Sequence, residues 1–382
     1  MKVVFALYHD YNFQSRPPEC IRALKLLGAD DIVLVTIAEL NKSIDGVRTV
    51  VSKYELKDKF KYPRFYRTVI KTIRKEKPDM VMLHDNYTAP VLAYLLHRKY
   101  KGKIVYDSSE LYLDMGRKLK DIVFRFFTYS ERKYLKYADA VIAANKERGE
   151  IMQKEFGLSQ MPIVLENMRR IADEVDYDAC GEKYGALFEN KEVLHVLYGG
   201  GVKENRRTLD LANAVADMGD DVELIIAGPG DPSCVAALRE IMNKCPRIKY
   251  VGKLPRSEWK YLIQNSDVCV SIYLQDIPNN IYCASGRFFE SLFEGVPVLC
   301  SENPPMKNNC AKYGFGVSDD DLKRGLSEMK QNYQKYKEKA EQFASSCDYE
   351  ARIPKLANDI KNRLDIENRL DKINEKRTVC GK

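Results

Sequence analysis

Two stretches of the chain carry residue types that can hold a phosphate. The first is Tyr198-Gly199-Gly200-Gly201-Val202-Lys203-Glu204-Asn205-Arg206-Arg207, which follows an apolar run and leads into an amphipathic one. Glycines there allow a backbone to approach an anion closely, and a helix N-terminus behind them would offer free N–H groups and a partial positive charge. Lys203, Arg206 and Arg207 add full charges and donors suited to a diphosphate. The second stretch runs from Ser285-Gly286-Arg287-Phe288-Phe289-Glu290 to Gly295-Val296-Pro297-Val298, a loop, a short helix, a glycine stop and a strand. Arg287 and Glu290 lie one turn apart on one helix face. A guanidinium at the mouth of that helix suits phosphate oxygens. A carboxylate one turn deeper only accepts hydrogen bonds, which suits the two hydroxyls of a ribose. The same two residues also fit a plain surface ion pair.

The N-terminal half offers carboxylates instead. Asp107 and Glu110 follow an apolar run, where either could take a proton or orient an acceptor, Glu110 being the better placed by sequence. Asp107, Ser108 or Ser109 equally suits the cap of a following helix. The first loop, Tyr8 to Pro17, lacks glycine. Its His9, Asp10, Tyr11 and Arg16 could stack on and hydrogen-bond a sugar, or simply fill the loop. His84, at a strand end, reads as a packed residue or a ligand. The four histidines, His9, His84, His97 and His195, make no pair with each other or with cysteine at metal-ligand spacing. No metal site is expected from them. Ten cysteines without a Cys-x-x-Cys pair suit a reducing compartment.

The elements that must position these residues alternate. Short apolar runs at 3–7, 32–37, 80–83, 104–106, 140–143 and 163–165 read as strands, with helical patterns at 17–27, 65–75, 89–97 and 119–137 between them. The alternation restarts after the polar stretch 169–191. Strands then fall at 193–197, 222–227, 248–251, 268–272 and 296–299, with helices at 209–215, 235–242, 259–264 and 288–293. Such βαβ repetition implies parallel sheets with helices on both faces. The expected class is α/β, two doubly wound Rossmann-like domains over 1–168 and 169–345, with charged helices from 346 to 382. Open parallel sheets bind ligands beyond the carboxyl ends of their strands. Two in tandem make a cleft between them the expected site.

Composition narrows the classes further. A chain of 382 residues with 45% hydrophobic residues has room for two cores. Its N-terminal apolar run is too short for a signal peptide, so the expectation is a cytoplasmic protein. The net charge of +7 is uneven: residues 1–168 hold 30 Lys+Arg against 21 Asp+Glu, and the rest is slightly acidic. The excess lies at 57–77, 98–103 and 117–136. Over 62–77, cations, aromatics and apolar residues alternate at helical spacing, as in a helix lying on an anionic membrane or as in a solvated face. No nucleic-acid motif accompanies the charge.

The stretch Ser285 to Val298 resembles the donor-site signature of GT-B glycosyltransferases of the family-4, group 1 type. Glu290 matches the second of that family's two glutamates, and Gly295-Val296-Pro297-Val298 matches the segment after it. The first glutamate would fall on Tyr282. Ser285 to Glu290 is similar to a Pro-x-Lys-Leu-Phe-Glu variant of the motif. The likeness extends to Ile225-Ile226-Ala227-Gly228-Pro229-Gly230, to Tyr250-Val251-Gly252-Lys253-Leu254-Pro255, and to Pro78 through Asp85. It also covers Tyr106-Asp107-Ser108-Ser109-Glu110-Leu111-Tyr112, where relatives often carry histidine at the position of Ser109. It continues to Phe343–Tyr349, where the last helix of the fold crosses back to the first domain. The resemblance implies transfer of a sugar from a nucleoside diphosphate sugar to a hydroxyl acceptor, with retention and without a metal or other cofactor. It places Gly200, Gly201, Lys203, Arg206, Arg207, Lys253, Leu254, Ser285, Gly286, Arg287 and Glu290 at the donor. A saccharide or lipid-linked saccharide at the inner membrane face is the expected acceptor, as in surface-glycan assembly. Two alternatives stay open: a non-catalytic nucleotide-binding subunit, and a nucleotide-sugar 2-epimerase on the same fold.

Overall fold

The computed structural model describes residues 1–53, 60–113, 122–283 and 285–373, with 366–373 described as helix backbone only. It divides into two compact units: Met1–Asn167 with Ile277–Asn279 and Asp348–Lys382, and Met168–Asp276 with Asn280–Cys347.

The first unit holds β1 (Lys2–Leu7), α1 (Arg16–Leu26), β2 (Asp31–Thr36), β3 (Val47–Val51), α2 (Lys61–Glu76), β4 (Met80–His84), α3 (Ala89–His97), β5 (Lys103–Ser108), α4 (Ile122–Tyr134), β6 (Ala140–Ala143), α5 (Lys146–Glu155) and β7 (Ile163–Val164). The seven strands are parallel, in the order β3-β2-β1-β4-β5-β6-β7. Their near-continuous apolar runs follow from burial on both faces. The order reverses between β1 and β4. In register, Leu7 lies opposite His84, and His84 opposite Asp107. The loops after β1, β4 and β5 therefore leave the sheet side by side, at the switch point where such sheets bind ligands.

The second unit holds α6 (Tyr177–Tyr184), β8 (Leu194–Gly199), α7 (Thr208–Ala216), β9 (Val222–Ala227), α8 (Pro232–Lys244), β10 (Ile248–Gly252), α9 (Arg256–Asn265) and β11 (Val268–Ser271). Past the short α10 (Pro278–Ile281), of which Pro278 and Asn279 belong to the first unit, it continues with α11 (Gly286–Phe293), β12 (Val298–Cys300), α12 (Pro304–Tyr313), β13 (Gly316–Ser318), α13 (Leu322–Gln331) and α14 (Tyr333–Ser346). Its six parallel strands run β10-β9-β8-β11-β12-β13, with the switch point between β8 and β11. The last helix, α15 (Arg352–Ile373), belongs to the first unit, where Ile353, Leu356, Ala357 and Ile360 are buried against Ile21 and Leu24 of α1.

Some expectations change. No helix follows Asp107, Ser108 or Ser109 directly among the described residues: Ser108 Oγ donates to the Glu110 carbonyl instead, and the described part of α4 runs from Ile122. The expected start of that helix at Leu119, with Arg117, Lys118 and Lys120, lies outside the described residues, as do Lys57, Lys59 and 374–382. The triple glycine does not open a helix directly, because a bridge between Val202 and Gly230 and a 3-10 turn at Glu204–Arg206 precede α7. No described helix is long and apolar enough to cross a membrane.

Candidate functional site

In the second unit the chemistry gathers around the ends of β8 and β11. Trp259 of α9 lies over Gly199, where a Cβ would come 2.1 Å from its ring. Gly228 (φ 140°) abuts the Gly200 carbonyl, a contact only glycine allows. The Gly200 N–H donates to the Ala227 carbonyl and the Val202 N–H to the Pro229 carbonyl. The turn is thus a continuation of the sheet, and its tightness brings side chains to its mouth. Arg206 stacks over Tyr273 at 4.4 Å, just beyond β11, and Arg287 over Trp259 at 4.7 Å. Tyr273 OH bonds Ser285 Oγ at 2.9 Å, two residues before Arg287, so the two cations flank the same turn. Arg287 is 42% exposed, with Glu290 Oε2 4.0 Å away.

Glu290 is 4% exposed and accepts from Trp259 Nε1 at 3.0 Å through Oε2. Its Oε1 makes no hydrogen bond among the described residues, although Arg256 lies 4.0 Å from it. The reading of Arg287 and Glu290 as a plain surface pair holds only in part: the two lie 4.0 Å apart, but the arginine is also held by an indole and the carboxylate is buried. Arg169 was not foreseen. Its side chain packs on Gly286 so closely that a Cβ there would meet Arg169 Cδ at 2.4 Å, and its Nε is buried without a hydrogen bond. Nothing in the sequence around Arg169 announces this. Trp259 and Tyr273 were equally silent, because an aromatic within a helix or after a strand reads as core.

Two expected donor residues, Arg207 and Ser285, are committed to other partners. Arg207 is committed within the unit, to Asp210 at 3.0 Å and to the side chain and carbonyl of Asp320. Its φ of 50° forms the join to α7. Ser285 caps α11, is 5% exposed, and bonds Ser271 Oγ and Tyr273 OH at 3.0 and 2.9 Å. Its hydroxyl is spent on shaping the loop. Lys203 is half-exposed and 3.9 Å from Asp231. Lys253 and Leu254 follow β10, exposed and half-buried, one residue after the left-handed Gly252.

In the first unit a buried polar chain crosses the sheet end. Arg16 donates to Asp107 Oδ1 at 2.7 Å and to the Leu165 carbonyl at 2.6 Å. Asp107 Oδ2 lies 2.8 Å from His84 Nδ1 and accepts from Cys20 Sγ at 3.6 Å. Burial works to raise the Asp107 carboxyl, but Arg16 and His84 outweigh it and hold it below the usual range. Asp107 is 0% exposed. It orients its neighbours and cannot meet a substrate, which corrects the catalytic expectation; Arg16 and His84 are likewise buried rather than free to touch an acceptor. Asp85 (φ 58°) accepts from Ser109 N and Oγ at 2.8 and 2.7 Å, so Ser109 holds a carboxylate. His9 Nε2 approaches that carboxylate to 3.7 Å with 30% of its side chain exposed. Glu110 is 46% exposed, with the buried Arg148 3.5 Å away. Arg148 also bonds Asn279, whose amide oxygen receives the Leu111 N–H at 2.8 Å. Asp10 caps a 3-10 turn and binds Asn12, and Tyr11 packs on the core. Both serve the loop's own shape.

The architecture has counterparts among solved structures. A glycosyltransferase from Rickettsia africae aligns with a TM-score of 0.70 at 14% identity, covering 95% of this chain and 98% of that one. The chain has the GT-B fold. WaaG, a glycosyltransferase involved in lipopolysaccharide biosynthesis, aligns to this GT-B chain with a TM-score of 0.69 at 15% identity, covering 94% and 99%. Anabaena HepE in complex with UDP-glucose aligns with a TM-score of 0.63 at 14% identity, covering 97% and 100%. No protein-family model and no curated protein matches the sequence itself.

Proposed function

We propose that this GT-B chain transfers a glycosyl group from a nucleoside diphosphate sugar to a hydroxyl acceptor. One observation carries the reading. Arg206 and Arg287, each braced on an aromatic ring, flank the same turn at the switch point of the second sheet, with Glu290 buried beside them. Stacking fixes the guanidiniums before a ligand arrives, which limits the entropy lost on binding. Two such cations offset the charge that builds on a departing diphosphate, so this step requires no metal at the phosphates. Glu290 Oε1 is the acceptor for ribose hydroxyls. Three named structural neighbours are glycosyltransferases or hold a nucleotide sugar, which supports the same class.

On the acceptor side Glu110 is the residue we assign to proton acceptance, since it is the half-exposed carboxylate of the first unit's sheet end. Contact with an anionic membrane surface is part of the proposal. A groove of about 560 Å³ is lined by Arg74, Lys77, Arg98, Lys99 and Lys101, and α4 exposes Ile122, Phe126 and Tyr129 beside Arg125, Arg132 and Lys133. These features fit a lipid-linked acceptor. A second reading, a nucleotide-binding subunit without turnover, draws on Tyr282 and Ser109 standing where relatives carry glutamate and histidine.

The donor site is tested by a thermal-shift panel of nucleoside diphosphates and nucleotide sugars on the wild type, Arg287→Ala and Glu290→Ala. A ligand that binds only the native state raises the melting temperature, by an amount corresponding to roughly 2.7 kcal/mol at a hundredfold excess over Kd. The expected result is a rise with one nucleotide family that both variants lose. A panel without any rise removes the donor site as drawn.

A further inference from the structure

We propose that His9, His84 and Asp85 form a site for one divalent transition-metal ion of the zinc class in the first unit. The sheet brings the three together although 75 residues separate the histidines in sequence. β1 and β4 are neighbours with Leu7 opposite His84; His9 lies two residues past Leu7, and Asp85 follows His84. Asp85 Oδ2 is 3.3 Å from His84 Nε2 and 3.7 Å from His9 Nε2, and the three donor atoms all lie within 4.8 Å of one another. A tetrahedral ion with bonds of about 2.0–2.1 Å sets its donors roughly 3.3–3.4 Å apart. Two of the separations are already near that value.

His84 supplies the independent pointer. Its ring is 1% exposed, yet Nε2 makes no hydrogen bond among the described residues, although it faces Asp85 Oδ2 at 3.3 Å. A buried polar nitrogen left unbonded is destabilising unless something fills the gap. The other ring nitrogen faces Asp107 at 2.8 Å, and Arg16 holds Asp107 in turn. With the Nδ1 proton on the Asp107 side, the Nε2 lone pair points toward Asp85. Carboxylate, imidazole, metal is the order by which proteins fix the tautomer of a ligating histidine. Asp85 has its own support in Ser109, and neither amide atom of the fully buried Asn86 beside it is bonded among the described residues.

Two imidazoles and one carboxylate suit zinc, cobalt or nickel. The partial exposure of His9 leaves a fourth position open to water or an acceptor hydroxyl oxygen. A bound ion would lower the pKa of that oxygen. The site is remote in role from the donor phosphates and does not depend on the transferase reading, because metal binding is measured without turnover.

The test titrates chelator-treated protein with cobalt(II) and follows visible absorption, with zinc as competitor. The expected result is one cobalt per chain with the strong visible bands of a four-coordinate ion, no thiolate charge-transfer band, and displacement by zinc. His9→Ala is the informative variant, because His9 is the least buried ligand and its loss leaves the buried chain intact. It should keep the wild-type melting curve and weaken cobalt binding by roughly tenfold or more. Asp107→Asn, which alters the support of His84, should weaken cobalt binding as well, and it should lower the melting temperature because Arg16 loses a buried partner. His195→Ala, in the second unit, should change nothing. Absence of the visible bands in the wild type, or unchanged affinity in His9→Ala, overturns the proposal. So does saturation only with thiolate bands.

Discussion

Arg206 and Arg207 are adjacent and chemically identical, yet the fold gives them different partners. Arg206 lies on the Tyr273 ring, whereas Arg207 closes onto Asp210 and Asp320 and sets the backbone turn into α7. No spacing rule separates them, because the difference arises from Asp320, more than a hundred residues away. Glu131 of α4 is a second case. It is 1% exposed and accepts from Tyr106 OH at 2.7 Å. Burial, opposed by that hydrogen bond and reinforced by Asp85, pushes its carboxyl from 4.5 up to about 8. Between those values the native chain keeps a proton that the unfolded chain has lost. Stability therefore falls as pH rises through that window and levels off above it. Glu131→Gln keeps an acceptor for Tyr106 and has no proton to lose. Urea melts from about pH 5 to about pH 9 should show a shallower fall in the variant than in the wild type; an identical slope would place the effect elsewhere. At this scale the sequence exposed residue types and local pairs, such as Arg287 with Glu290. It could not expose which carboxylates are buried: Asp107 and Glu110 differ by three positions and by their whole environment.

The elements were more legible, and where they were not the reason is exposure or length. Apolar runs at 140–143 and 222–227 coincide with β6 and β9. The edge strands β3 and β13 were missed: one is half-exposed and carries Arg48 and Thr49, the other spans three residues. Helix α2 shows what periodicity omits. Its strong two-faced pattern suggested a helix on a membrane, but Phe65, Val69, Thr72 and Ile73 are buried in the unit. Its exposed residues are Pro63 and the cations Arg64, Arg67, Lys71, Arg74 and Lys75, and Arg74 is further occupied by Tyr94 at 2.6 Å. A helix with several apolar residues outward is α4, where Phe126 and Tyr129 are 53% and 58% exposed. On the proposed membrane reading, insertion falls to α4 and electrostatics to α2. Reversing the charge of Lys71, Arg74 and Lys75 should weaken binding to anionic liposomes and flatten its salt dependence, while Phe126→Ser with Tyr129→Ser should weaken binding with the salt dependence retained. Sedimentation with vesicles checks both, and wild-type protein that stays in the supernatant at low salt contradicts the membrane reading.

For the whole molecule, the repeated strand–helix alternation was enough to expect two parallel sheets. Each sheet now has a defined switch point, with His9, His84 and Asp85 at one and the Gly199–Gly201 turn, Arg206 and Tyr273 at the other. What alternation could not give is the chemistry, since the GT-B fold is shared by enzymes acting on different sugars. The central claim is transfer itself, and mass spectrometry of products tests it most directly. Nucleotide sugars of several bases and hexoses are incubated with saccharide and lipid-linked saccharide acceptors, using wild type and Arg287→Ala. The account predicts one donor that releases nucleoside diphosphate and adds one glycosyl mass to an acceptor, with the rate reduced at least roughly a hundredfold in the variant. Tight nucleotide binding with no transfer to any acceptor and no donor hydrolysis would contradict it and leave a nucleotide-binding subunit in its place.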